Sequence, residues 1–210
     1  REAAGTGAAK KARAEAPPAD VGDEASSIEG GEVAGSSADE GEKGRRRWSL
    51  DDVVSALKTR TRVLPDGSVY VNEKLLRALA KIGARALPPV LELLEDSRWT
   101  PRWAALAAVQ RIALRDEDVD AAEVLPKVAV CLQDAKGRVR ARAVEAVAAF
   151  RRSKDEVLDA LIKVLGDQNA EVSRLAVMHV LELGLDPKDL TERMVHILTL
   201  RRNVYVRVGS

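Results

Sequence analysis

Residues 125–150 read LPKVAVCLQDAKGRVRARAVEAVAAF, and the spacing of their apolar side chains decides the fold. Counting from Asp134, apolar residues fall five, nine, thirteen and sixteen positions on, at Val139, Ala143, Val147 and Phe150. Steps of four, four and three return to one side of an α-helix, so these four share a face. An apolar run, Cys131-Leu132, stands just ahead of the aspartate.

The same offsets recur along the chain. Asp96 leads to Pro101, Ala105, Val109 and Ile112, and Asp167 leads to Val172, Ala176, Val180 and Leu183. An earlier copy runs from Asp66 to Val71, Leu75, Leu79 and Ile82. A later one starts at Arg201 and reaches Val206 and Arg207 before the sequence stops at Ser210. Successive reference positions are 30, 38, 33 and 34 residues apart. Upstream of each lies a second helical pattern, such as Leu87, Val90, Leu91 and Leu94, or Leu158, Leu161, Ile162 and Leu165. Leu50, Val53, Val54 and Leu57 form the first of these, with a longer Pro-Asp-Gly connection behind it. The unit is thus a helix A, a tight polar turn near the aspartate, and a helix B. Pro88, Pro126 and Pro187 fall near the starts of A helices, where a missing N–H costs little. Each pair leaves an apolar face that only the next pair covers, which predicts a one-dimensional stack.

The motif L-x-x-L-L-x-D-x-x-x-x-V-R-x-x-A-x-x-A-V, carried best by 125–150 and then by 158–184, resembles HEAT repeats of the short bacterial phycobilin lyase-like type. The resemblance covers about residues 48–208 and implies an all-α, right-handed α-solenoid, armadillo-like in shape, with four nearly complete repeats and a truncated fifth. A truncated fifth repeat would leave the core before it uncovered, so part of a longer solenoid is expected. The resemblance speaks for the fold far more than for function, since one such architecture serves unrelated partners. Two positions depart from the motif. Arg102, Arg140 and Arg207 follow the valine position, but Asn72 and Ser173 replace them elsewhere. Ala78, Ala108 and Ala146 precede the second valine position, but His179 takes that place in the fourth repeat.

Composition agrees with a helical stack. Hydrophobic residues make up 46% but aromatics only 3%, so the apolar content is mainly Ala, Val and Leu. One cysteine rules out an intramolecular disulfide framework and a multi-cysteine zinc site, and two histidines leave little for a histidine-built metal centre. No apolar stretch of about 18 residues is present to span a membrane. Residues 1–44 carry five basic and ten acidic residues and no aromatic, and are expected to be a disordered acidic tail, since they bury too little to offset the entropy of ordering. The overall charge of +1 then leaves +6 on residues 45–210, the expected solenoid domain. The chain starts at Arg1 and shows no charged n-region followed by an apolar h-region. The expectation is a processed product or fragment, with the cytoplasm favoured as compartment and secretion left open.

Three features are candidates for function. The Asp and Arg rows (Asp96, Asp134, Asp167, Arg102, Arg140) read best as scaffold, with each Asp capping helix B and each Arg pairing with a neighbouring repeat. The basic and aromatic cluster Arg98, Trp99, Arg102 and Trp103, extended by Arg138, Arg140, Arg142, Arg174, Arg201, Arg202 and Arg207, would meet phosphates at repeated intervals, with Trp stacking on a base. HEAT-like alkylpurine DNA glycosylases hold DNA on this architecture. Third, the B-helix positions that turn from the core form a partly apolar inner strip. It runs through Trp103, Ala107 and Gln110, then Ala141, Glu145 and Ala148, then Arg174, Met178 and Leu181.

Catalytic chemistry finds no support in the motifs. There is no P-loop, no G-x-S-x-G and no Gly-rich loop after a strand. The paired His-Glu motifs of the HEAT-like deoxyhypusine hydroxylases are missing. His179 is expected half-buried as packing, and Cys131 buried and inert. The reading is a non-enzymatic scaffold without cofactor or metal that takes a protein partner on the B-helix face, through Arg98, Trp99, Arg102, Trp103, Arg140, Arg174, Met178 and Leu181. Nucleic acid held by the Arg row is the alternative, and an accessory domain of a larger, lyase-like enzyme is the third.

Overall fold

The computed structural model describes residues 48–116 and 118–196. The expected acidic tail and the truncated fifth B helix both lie outside the described residues. Helix α1 (Leu50–Arg60) opens with a capping box. Ser49 Oγ accepts from the Asp52 N–H at 3.1 Å, and the Asp52 carboxylate accepts from the Ser49 N–H at 3.0 Å. The helix buries Val53, Val54 and Leu57.

The Pro-Asp-Gly connection behind it is a β-hairpin, a small two-stranded sheet set in the helical stack. β1 (Arg62–Val63) pairs antiparallel with β2 (Val69–Tyr70), Val63 facing Val69. β-Branched residues flank a turn in which Gly67 takes φ 82° and Asp66 Oδ1 accepts the Ser68 N–H at 2.8 Å. The helical periodicity simply skips these residues.

Helix α2 (Glu73–Ile82) follows, capped by Asn72, whose side chain accepts the Lys74 N–H at 2.9 Å. That bond explains why Asn stands where other repeats carry Arg. Then come α3 (Leu87–Glu92), α4 (Trp99–Arg115), α5 (Ala121–Val130), α6 (Gly137–Ala148), α7 (Lys154–Ile162) and α8 (Ala170–Glu182); residues 187–196 are helical again. Helices α3 and α5 tighten into 3-10 turns, Leu93–Glu95 and Cys131–Gln133, before the polar turn. Pro88 stands in the first turn of α3 and Pro187 begins the helix over 187–196, as expected. Pro126 does not start its helix: it lies inside α5, which Asp120 nucleates six residues earlier by accepting the Ala122 N–H at 2.9 Å.

The pairs are α1/α2, α3/α4, α5/α6 and α7/α8, and the second members pack on one another in the order α2, α4, α6, α8. Being wedged between two neighbours shapes these B helices. In α4 six consecutive residues, Ala104 to Val109, are buried, because its own A helix and both flanking B helices cover it. Four of the six are alanines, which let helix axes approach closely. The predicted face residues Ala105, Val109, Ile112, Val139, Ala143, Val147, Val172 and Ala176 are all buried. Each fully buried Val or Ile contributes about 1.5–3 kcal/mol, so three faces of this kind outweigh any single polar contact in the fold.

One loop contact ties neighbouring pairs. Gly83 ends α2 at φ 71°, and the Asp116 carboxylate at the end of α4 accepts the adjacent Ala84 N–H at 2.9 Å. A Cβ on residue 83 would stand 2.5 Å from that carboxylate. Gly83→Ala is therefore strained twice, by its backbone and by the displaced Asp116. It is expected to cost roughly 1–3 kcal/mol and lower the thermal midpoint by several degrees in a circular dichroism melt.

Candidate functional site

The Asp and Arg rows form a clasp between successive repeats. Arg102 donates from Nε and Nη2 to both carboxylate oxygens of Asp134, at 2.7 and 3.0 Å, and from Nη1 to the carbonyls of Asp96 and Ser97. Arg140 repeats this one unit later, on Asp167 at 2.7 and 2.8 Å and on the Asp134 carbonyl at 2.8 Å. Each arginine thus grips the turn of its own repeat and the aspartate of the next. The arginine side chains are 17% exposed and the aspartates 8–9%, so little of the pair meets solvent.

The aspartates do not cap helix B, as the sequence suggested. Asp96, Asp134 and Asp167 accept the N–H two residues on, from Arg98, Lys136 and Asn169, and so fold the turn itself. The helices begin after it, where Asn169 caps α8 while Arg98 and Lys136 give no side-chain cap. Asp96 has no arginine from the previous repeat, because Asn72 stands there. It takes Lys58 at 3.0 Å and its own neighbour Arg98 at 3.2 Å.

These contacts set the ionisation. The Arg140 hydrogen bonds hold the Asp167 carboxyl below the usual carboxylate range. Burial pushes Asp134 up, but Arg102 and the Lys136 N–H more than reverse it. Arg98 and Lys58 likewise lower Asp96 strongly. Burial raises the Cys131 thiol to about 11, which leaves it a poor nucleophile.

On the inner strip, the structure joins residues that the sequence did not connect. The Arg142 guanidinium lies over the Trp103 ring, 4.3 Å from its centroid, and Nη1 reaches Gln110 Oε1 at 3.1 Å and Glu145 Oε2 at 2.6 Å. A cation stacked on indole is worth about 0.5–2 kcal/mol, more as water is excluded. Burial lowers the Arg142 pKa, and Glu145 works against that. Arg142 stood out in the sequence only as one more basic residue; its offset of eight, beside the strip position Ala141, was the available signal. Further along, the His179 ring Nδ1 lies 2.7 Å from Glu182 Oε2, with the ring half-buried. A groove of about 460 Å³ runs across α4, α6 and α8, lined by Gln110, Leu114, Glu145, Ala148, His179 and Glu182 among others.

The other candidates scatter. Arg98 leans on Asp96, and Trp99 opens α4 half-buried against the core. Arg174 pairs on the surface with Glu171 at 2.8 Å. Met178 and Leu181 are 36% and 68% exposed on α8. Arg102, Arg140, Trp103 and Arg174 therefore belong to three separate clusters rather than to one basic row. Among the described residues no group of three or more His, Cys, Asp or Glu is placed to hold a metal ion. No described helix is long and apolar enough to cross a membrane.

Residues 71–96, spanning α2, α3 and Asp96, match the family model of the PBS lyase HEAT-like repeat. The chain carries a PBS lyase HEAT-like repeat. The match takes helix B of one pair with helix A of the next, so the PBS lyase HEAT-like unit is cut between α1 and α2 rather than between pairs. No curated protein matches the chain. Among solved structures it is similar to an engineered protein at 16% identity and TM-score 0.48, covering 72% of this chain and 69% of that one. A second engineered protein matches at 17% and 0.47, covering 73% and 41%. A designed armadillo repeat protein in complex with the peptide (KR)4 matches at 20% and 0.48, covering 72% and 71%.

The clasp makes stability depend on pH. With native carboxyls lowered, the unfolded chain binds more protons as pH falls below about 3.9, so stability is level near neutrality and is lost in acid. Arg140→Ala is expected to cost about 2 kcal/mol in urea unfolding at pH 7. The gap from wild type should narrow toward pH 3, because the unfolded chain's Asp167 takes up a proton that the clasp in the native wild type resists. Cys131 is expected to resist an aromatic disulfide reagent in the native protein and to react within seconds in denaturant.

Proposed function

We propose that the chain is a non-catalytic repeat scaffold that receives a protein segment on its B-helix face, with residues 45–210 forming the solenoid behind an acidic tail. One observation carries this reading. The groove across α4, α6 and α8 is open; of its charged groups Glu145 is paired with Arg142 and His179 contacts Glu182, while Arg151 and Lys154 also line it. Beside these groups the B-helix face offers a partner apolar and amide surface: Gln110, Leu114 at 50% exposure and Ala148 in the groove, with the uncovered part of Trp103 and Met178 next to it. Such a mixture suits an amphipathic segment laid across the helices.

The nucleic-acid alternative asks the arginine row for free donors. Arg102 and Arg140 spend theirs within the fold, so a phosphate would have to break the clasp that joins the repeats. Arg98 and Arg174 stay exposed and belong to the rim of the proposed face rather than to its centre.

The test is photo-crosslinking of the full chain with a photoreactive residue at Leu114, in the groove, or at Val130, 73% exposed on α5. Protein adducts should form several-fold more at position 114, and a second substitution, Ala148→Arg, should abolish them without changing helicity. Equal labelling at both positions would sink the reading. So would micromolar duplex DNA binding that falls steeply with salt and is lost in Arg98→Glu/Arg174→Glu.

A further inference from the structure

The arginines near the starts of the B helices share one habit. Arg98, Arg102, Arg140 and Arg174 each turn the Nε–Nη2 edge of the guanidinium to a carboxylate of the fold, on Asp96, Asp134, Asp167 and Glu171. Arg142 does not. Its contacts with Gln110 and Glu145 both run through Nη1, on the other side of the fork. Among the described residues its Nε and Nη2 make no hydrogen bond, and neither is a buried atom.

That open edge is held in place. The guanidinium lies over Trp103, 4.3 Å from the ring centroid, and Nη1 is fixed from two helices, by Gln110 of α4 and Glu145 of α6. A donor pair positioned in advance loses little freedom on binding. Burial works against the charge of Arg142, and Glu145 offsets only part of that. The surroundings are cationic as well. Arg138 stands exposed one turn earlier on α6, and Arg151 and Lys154 line the groove that Gln110 and Glu145 also line. The acids of that groove, Glu145 and Glu182, already contact Arg142 and His179.

We propose that the Nε–Nη2 edge of Arg142 is an anchoring site for a carboxylate, presented as an Asp or Glu side chain by the segment that the B-helix face receives. The inference rests on the scaffold reading above and adds the partner's chemistry: amphipathic, with an acid placed to meet α6. A carboxylate matches the fork with two parallel N–H···O bonds, as Asp134 and Asp167 do on Arg102 and Arg140. A phosphate suits the site less, because Glu145 stands 2.6 Å from Nη1 and opposes a second negative charge.

An NMR titration of the isotope-labelled full chain with acetate, exchanged for chloride at constant pH and ionic strength, tests the site. The Arg142 Nε–H and Trp103 indole N–H resonances should move together and saturate, at acetate concentrations at least about tenfold below any change at the exposed Arg115. In Arg142→Lys, which keeps a cation near the ring but has no fork, the indole shift should be lost. Equal half-saturation at Arg115, an indole shift that survives Arg142→Lys, or tighter binding of methyl phosphate than of acetate would overturn the proposal. The link to the partner is read in the crosslinking experiment, where Arg142→Lys should reduce adducts at position 114 about tenfold. Unchanged adducts would overturn the anchor and leave the scaffold reading intact. No adducts in the wild-type chain would remove that reading instead, with the titration still deciding whether Arg142 holds a carboxylate.

Discussion

Everything in this molecule follows from the need of each B helix to be covered on both flanks. A helix such as α4, with Ala104 to Val109 buried in sequence, has no solvent-tolerant side along that stretch, and it is stable only as the filling between two others. The apolar term per repeat is large and undirected, so it presses the helices together without fixing their angle. The polar turn supplies direction. Its aspartate folds the chain between A and B by accepting an N–H two residues on, and the same carboxylate takes the arginine of the previous repeat on both oxygens. Folding of the turn and joining of the repeats are one arrangement.

That coupling governs where function can lie. Charged residues at the starts of the B helices look available in a list but are largely consumed by the fold, while the strip on the inner side keeps its surface open. Trp103 shows the difference. Its ring is half covered by Arg142 from the next repeat, so it serves first as a bridge between α4 and α6 and only with the remainder of its surface as something to be touched.

Much of the fold was legible because its cause is periodic. The offsets from Asp96, Asp134 and Asp167 fell on buried residues, and the same arithmetic located the A helices. What escaped were features with no period. The hairpin at 62–70 rests on two short β-branched segments and one turn, too little for a pattern to register. Pro126 was misplaced because a helix start depends on its cap, here Asp120, more than on the proline. The candidate site was legible only as a strip. Gln110, Glu145 and Ala148 were on it, but the guanidinium that organises them stands one position off the strip in sequence and reaches it through side-chain length. Arg102 and Arg140 illustrate the converse: spacing identified their partner repeat, yet not that the pairing would leave them 17% exposed and little free for anything else.

The clasp also acts as a gauge. Arg102 and Arg140 each span from the backbone of one turn to the carboxylate of the next, and a guanidinium on three methylenes has a fixed reach. The interval between neighbouring turns along that edge is therefore set by the length of a side chain rather than by the volume of the core. Among the described residues no such gauge recurs along the opposite edge, which takes up whatever spacing the alanine-rich helices allow. Curvature, and with it the width of the inner groove, is then a property written at the rim: a shorter or longer cation there would rescale the groove while leaving every core residue as it is.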